Sequence, residues 1–91
     1  MLHLIAYDIS SNRRLRRVAR ICEDYGIRVE KSVFECDLDD QTFDEMWSRL
    51  SSVTCEDEDR IIDYPIGMID RKHIHALGRC VHQEPACTYV F

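Results

Sequence analysis

The chain has 91 residues, 45% of them hydrophobic, with three Gly and two Pro, which excludes a second domain and a low-complexity or disordered chain. Five cysteines, odd in number, widely spaced and without a C-x-x-C pair, argue against a disulfide framework and for a reduced, cytoplasmic setting. The net charge of −5, taken as an average, speaks against nucleic acid, whose affinity rests on Lys and Arg.

That average conceals a segregation. Residues 1–35 carry seven Lys/Arg against five Asp/Glu, residues 36–63 two against ten, and residues 64–91 three against two. A domain this small buries only ~60–65% of the surface its unfolded chain exposes, so a second copy is expected to share its stability. The leading apolar run, Leu2 to Tyr7, meets Asp8 before it reaches signal-peptide length, and no run approaches the ~18 residues of a membrane span. No membrane association is expected.

Leu2 to Asp8 is short, apolar on both alternating faces and rich in strand formers, so it predicts a buried first strand. Ser11 or Asn12 then caps a helix whose stripe is Leu15, Val18, Ala19, Cys22 and Tyr25, with Gly26 as the stop. Residues 27–38 alternate but exceed one typical strand, which predicts a bent strand or a hairpin turning near Glu30 to Ser32, without the usual Gly or Asn. Asp39 or Asp40 caps a second helix with Phe43, Met46, Trp47 and Leu50 on its buried stripe. Cys55 to Asp59 is a polar connector and Arg60 to Ile66 a strand that Pro65 marks as ending or lying at an edge. Pro65 to His73 is expected as a loop, Ile74 to Leu77 as a short strand, and Cys87 to Phe91 as a terminal strand.

The order β-α-β-β-α-β predicts an α+β, ferredoxin-like domain over residues 1–91: four antiparallel strands with both helices on one face, and an additional C-terminal strand. Such a sheet has an open face, and a first strand apolar on both sides requires that face to be covered. A homodimer about a two-fold axis supplies the cover, with the terminal strand placed to pair with the partner's sheet edge.

On a helical wheel of about 100° per residue, Arg13, Arg16, Arg17 and Arg20 fall on the side away from the apolar stripe, with Arg14 on its flank. A solvated surface is the ordinary meaning of a charged face. Here, however, cations crowd the first turns against the helix dipole, and Arg13 and Arg17 repel at i,i+4. A local rule broken repeatedly points to phosphate backbone. Asp8, just before this helix, has two readings. It is a helix-capping or turn carboxylate, or a ligand for Mg²⁺, which takes only one or two carboxylates and keeps several waters.

The stretches Tyr7-Asp8-Ile9, Arg13-Arg14-Leu15-Arg16-Arg17-Val18, Asp24-Tyr25-Gly26-Ile27-Arg28-Val29 and Ser32-Val33-Phe34-Glu35-Cys36 together resemble the small CRISPR-associated ferredoxin-fold endonucleases of the spacer-adaptation machinery. The resemblance covers residues 1–38 and weakens beyond Leu38. It implies a homodimer whose two Asp8 carboxylates share Mg²⁺ or Mn²⁺, metal-dependent cleavage of RNA or duplex DNA, and a cytoplasmic complex with the CRISPR-associated integrase. It further implies Asp8 as catalytic residue and metal ligand, Tyr7 beside it as a nucleic-acid contact together with Arg13, Arg14, Arg16, Arg17 and Arg28, and Phe34 near the interface.

Two other functions compete: a non-catalytic DNA scaffold of the same complex, and a toxin-like ribonuclease or ligand-binding module of the same fold. His73, His75, Cys80 and His82 sit in a strand-like segment rather than on zinc knuckles and are expected as surface residues. Trp47 and Phe43 are expected in the core rather than as a base-stacking platform.

Overall fold

The computed structural model describes residues 1–79. The elements follow in the order β1 (Leu2–Asp8), α1 (Asn12–Tyr25), β2 (Ile27–Glu30), β3 (Val33–Asp37), α2 (Asp40–Val53), β4 (Arg60–Ile66) and α3 (Met68–Arg71). The four strands form one antiparallel sheet in the order β2-β3-β1-β4. This is the expected ferredoxin-like arrangement. The expected strand from Cys87 to Phe91 lies outside the described residues.

Local chemistry starts each helix. The Ser11 hydroxyl accepts from the Arg14 N–H at 3.3 Å and the Asp39 carboxylate from the Thr42 N–H at 2.7 Å, so each cap satisfies an amide that the first helical turn leaves unpaired. The buried stripe of α1 is Val18, Ile21 and Cys22. Ile21 thus joins it, while Leu15, Ala19 and Tyr25 pack at its margin. Gly26 ends α1 in an extended conformation, φ −161°, so it is not the left-handed cap that usually explains such a glycine. A Cβ there would run into the Glu35 carbonyl and the Cys36 sulfur. The position is glycine because β3 passes too close for any side chain.

The hairpin between β2 and β3 turns through Lys31 and Ser32, with Glu30 opposite Val33. Apart from glycine, no described residue has positive φ, so this is not a primed turn, and Asn-Gly is not required. A register shift between Arg28 and Glu30 supplies the local twist instead. Pro65 fits inside β4 because that strand, among the described residues, is an edge paired only with β1, where Pro65 stands opposite His3. The expected loop from Pro65 to His73 is therefore partly ordered: β4 continues to Ile66 and α3 follows. The expected strand at Ile74 to Leu77 reduces to an isolated bridge at Ala76.

The period of two in β1 divides the sheet into two environments. Ile5 and Tyr7 point into the helix layer, where they meet Val18, Cys22, Phe34, Cys36, Met46 and Leu50. His3 shares that side, its ring stacked on Phe43 at 4.2 Å and its Nδ1 2.9 Å from the Asp63 carboxylate. Phe43 and Trp47 pack against the core, as expected. Leu4, Ala6 and Asp8 point to the other side, beside Tyr64, Ile62 and Arg60, their register partners on β4. That open face is apolar and only partly covered: Leu4, Ala6 and Ile62 are half-buried and Tyr64 is 50% exposed.

Candidate nucleic-acid interface

Asp8 is the last residue of β1 and is exposed on the open face. Directly across the ladder stands Arg60, also exposed. Together with Ala6, Tyr7, Ile62 and Tyr64 they line an open hollow of about 290 Å³. Among the described residues no group of three or more His, Cys, Asp or Glu side chains is placed to hold a metal. One protomer thus offers a single carboxylate at this strand end, which suits Mg²⁺ or Mn²⁺ where further oxygens come from water, a phosphate or another copy.

The turn Ile9 to Ser11 leads from Asp8 into α1, and the arginine face of that helix is oriented as the wheel predicts. Arg13, Arg16, Arg17 and Arg20 are all exposed, and none forms an ion pair with a described residue. The first turn of α1 contains no acidic residue. Four uncompensated guanidinium groups therefore lie along one helix face, beginning one turn after the Asp8 carboxylate, an arrangement suited to a phosphate backbone.

Arg14 is different. Its Nε donates to Asp59 Oδ2 at 2.7 Å and its Nη2 to Glu58 Oε1 at 2.9 Å. The fork is occupied within the chain, a pairing that wheel geometry alone does not reveal because Asp59 lies 45 residues away. The charge-assisted bonds hold the Asp59 carboxyl well below the usual carboxylate range.

Of three further residues singled out by the resemblance, Tyr7 and Phe34 have buried side chains, whereas Arg28 is exposed. Tyr7 is 6% exposed and Phe34 1%, with ring centroids 6.3 Å apart. Burial raises the Tyr7 phenol pKa. The Arg28 guanidinium lies over the Phe34 ring at 4.9 Å, donates to the Lys31 carbonyl and stands 3.7 Å from Glu23. Tyr7 and Phe34 are therefore core residues of the protomer. The resemblance has Tyr7 as a nucleic-acid contact and Phe34 near the interface; in the protomer their parity in β1 and β3 turns both side chains into the core. Cys22 and Cys36 are free, buried thiols, and burial pushes their pKa values up to about 12 and about 11, which makes them packing residues. Of the four residues of the weak zinc pattern, His73 and His75 are exposed. Cys80 and His82 lie outside the described residues.

Comparison with known proteins agrees with this architecture. Residues 1–74 match the family described as CRISPR associated protein Cas2. A CRISPR-associated endoribonuclease Cas2 of Moorella thermoacetica is 37% identical over 83 residues, covering 86% of each chain. The crystal structure of Streptococcus pyogenes Cas2 superposes with a TM-score of 0.75 at 36% identity, covering 86% of this chain and all of that one. A chain of a partial Cas6-RT-Cas1-Cas2 complex superposes with a TM-score of 0.68 at 26% identity, covering 94% and 96%. No described helix is long and apolar enough to cross a membrane. With its four-stranded antiparallel sheet, its Asp8 strand end and a family match that runs from the first residue through α3, the chain belongs to the CRISPR-associated Cas2 family.

Proposed function

We propose that two copies of the chain pair through the open face of the sheet and form a cytoplasmic, divalent-metal-dependent endonuclease that works with the CRISPR-associated integrase in acquiring new spacers. The observation that carries this reading is the exposed Asp8 carboxylate just before an outward face of four arginines that make no ion pair among the described residues. The endoribonuclease name of a relative 37% identical to this chain and the Cas1-Cas2 assembly of a structural neighbour support it.

The chemistry follows from the side chains. Arg13, Arg16, Arg17 and Arg20 bind the anionic backbone of RNA or of duplex DNA and hold it against the strand end. Arg60, opposite Asp8, is placed to neutralise charge that accumulates on phosphate oxygens. The Asp8 carboxylates would hold Mg²⁺ or Mn²⁺. A divalent ion bound there supplies Lewis-acid polarisation and a more acidic water. In the hydrolysis, a water oxygen bonds to phosphorus, the bond from phosphorus to one sugar oxygen breaks, and that oxygen takes up a proton. His3 lies on the helix side of the sheet, away from Asp8, so it does not serve as the general base.

Asp8→Asn keeps the shape and removes the charge. Metal-dependent cleavage is expected to fall by about 10²–10³-fold, while binding to duplex DNA at fixed salt stays near the parent value. Cleavage by the purified variant at the parent rate would remove the nuclease assignment. A second reading, a DNA scaffold without catalysis, is favoured by the single carboxylate per protomer. Spacer integration with the Asp8→Asn protein separates the two, because a scaffold supports it undiminished.

A further inference from the structure

Asp59 occupies a position out of proportion to its place in a surface connector. Its side chain is 1% exposed, yet it is a carboxylate, and both oxygens are fully engaged. Oδ2 accepts from Arg14 Nε at 2.7 Å and from the Cys55 N–H at 2.8 Å. Oδ1 accepts from the Ser10 N–H at 3.1 Å, from Arg14 Nη2 at 3.2 Å and from the Ser10 hydroxyl at 3.3 Å. Glu58 adds a bond from Arg14 Nη2 at 2.9 Å and a longer one from the Ser10 hydroxyl at 3.5 Å.

This carboxylate and its partners adjoin Asp8 from two segments of the chain. Ser10 is two residues after Asp8, Arg14 is in the first turn of α1, and Asp59 immediately precedes Arg60, the ladder partner of Asp8. One buried carboxylate thus joins the segment that leaves Asp8 to the segment that delivers Arg60. A bidentate guanidinium–carboxylate contact has a fixed plane as well as a short distance. It holds the turn from Ile9 to Ser11 in one place relative to β4. Ile9, buried in the core, and the terminal rungs of the ladder also hold the turn, and the clamp adds a fixed orientation to them.

We infer that Arg14 and Asp59 form a positioning clamp that fixes the turn leading out of Asp8, and that Arg14 serves the site through this clamp rather than by touching phosphate. The inference rests on Asp8 as the functional carboxylate proposed above and adds two residues to its support. A phosphate group would have to displace Asp59 from the Arg14 fork and leave a buried carboxylate without its countercharge, which is costly. The exposed arginines next to it face no such competitor.

The test uses the full-length protein with three single substitutions, Arg14→Gln, Asp59→Asn and Arg16→Gln, and with Asp8→Asn as the reference for the metal site. Three quantities are read: the slope of duplex-DNA affinity against salt, amide hydrogen exchange at Ser10 and Cys55, and Mn²⁺ affinity by electron paramagnetic resonance. For both clamp variants, exchange at Ser10 is expected to accelerate and Mn²⁺ affinity to fall by about 10–100-fold, the usual effect of losing a group that orients a ligand. The salt slope of Arg14→Gln is expected to match the parent, whereas that of Arg16→Gln drops by about 1. A slope lowered equally by Arg14→Gln makes Arg14 a phosphate contact and overturns the clamp. Folded Asp59→Asn with parental exchange and parental Mn²⁺ affinity overturns it too. If Asp59→Asn does not fold, Arg14→Gln alone decides, since it removes the fork and leaves the carboxylate. Parental Mn²⁺ affinity in Asp8→Asn refutes the metal reading instead, and the clamp then stands or falls on the salt slope and on exchange at Ser10.

Discussion

At the scale of single residues, Gly26 shows how a familiar sequence signal can have an unfamiliar cause. A glycine after a helical stripe reads as a left-handed cap, but here its φ is −161°, a value any residue adopts. What matters is that β3 passes at van der Waals range: a Cβ on Gly26 would stand 3.0 Å from Cys36 Cα and closer still to the Glu35 carbonyl. Backbone atoms of a central strand pair do not move aside as a flexible side chain does. Gly26→Ala is therefore expected to destabilise the protein by about 1–3 kcal/mol through overpacking, read as a lowered denaturation midpoint with an unchanged m-value. Stability within about 0.5 kcal/mol of the parent would show that α1 can shift to make room.

Parity is the other lesson at this scale. Tyr7 and Asp8 are neighbours in sequence and in the resemblance, yet a strand's period of two sends one into the core and the other to the surface. Because β1 is apolar on both faces, its pattern does not say which set points inward. That information resides in the helices packed on one side only. The position of Asp8 at the strand end was legible, as were the helix caps and the outward arginines, since each depends on residues a few positions apart. The roles of Asp59 and Arg60 were not. They depend on the β1–β4 register and on a connector that reaches back 45 residues to Arg14.

On the proposed function, α1 is the element in which function is set against stability. Its stripe, its Ser11 cap and its contacts with α2 all favour a helix, among them the links from Arg49 to Asp24 at 3.0 Å and from Tyr25 to Glu45 at 2.7 Å. Its first turn nonetheless holds arginines and no acid, against the macrodipole. Arg13 is exposed and makes no ion pair with a described residue, so nothing in the fold requires its charge. Arg13→Glu is expected to stabilise the protein by about 0.3–1 kcal/mol and at the same time to weaken duplex binding, with the salt slope reduced by at least about 1. Thermal denaturation and fluorescence anisotropy titrations on the same preparation measure both. A variant that gains stability and keeps its affinity would assign this end of the face to solvent rather than to phosphate.

At the scale of the whole molecule, the net charge of −5 turns out to be distributed by task. Part of the acidic block is used internally: Asp59 in its clamp, Asp39 as the cap of α2, and Asp37 bound to Arg71 at 2.7 Å and close to the N-terminal amine. The exposed arginines of α1 are left to act outward. One protomer has a single such face and a single Asp8, whereas a two-fold pairing through the open face doubles both. Ile62 tests that pairing. It is half-buried on β4, opposite Ala6 and two residues from Arg60, so it belongs to the apolar surface that a second copy would cover, while the helix layer on the other side does not depend on it. Ile62→Glu places a carboxylate in that apolar surface, where covering it by a second copy would desolvate an unpaired charge. The variant is expected to sediment as a monomer with parental circular dichroism, to bind Mn²⁺ weakly because the Asp8 carboxylates no longer meet, and to show about half the parental salt slope, since only one arginine face engages the duplex. A dimer that persists with parental Mn²⁺ affinity would place the subunit contact on another surface and require the metal ligands to come from elsewhere in the chain.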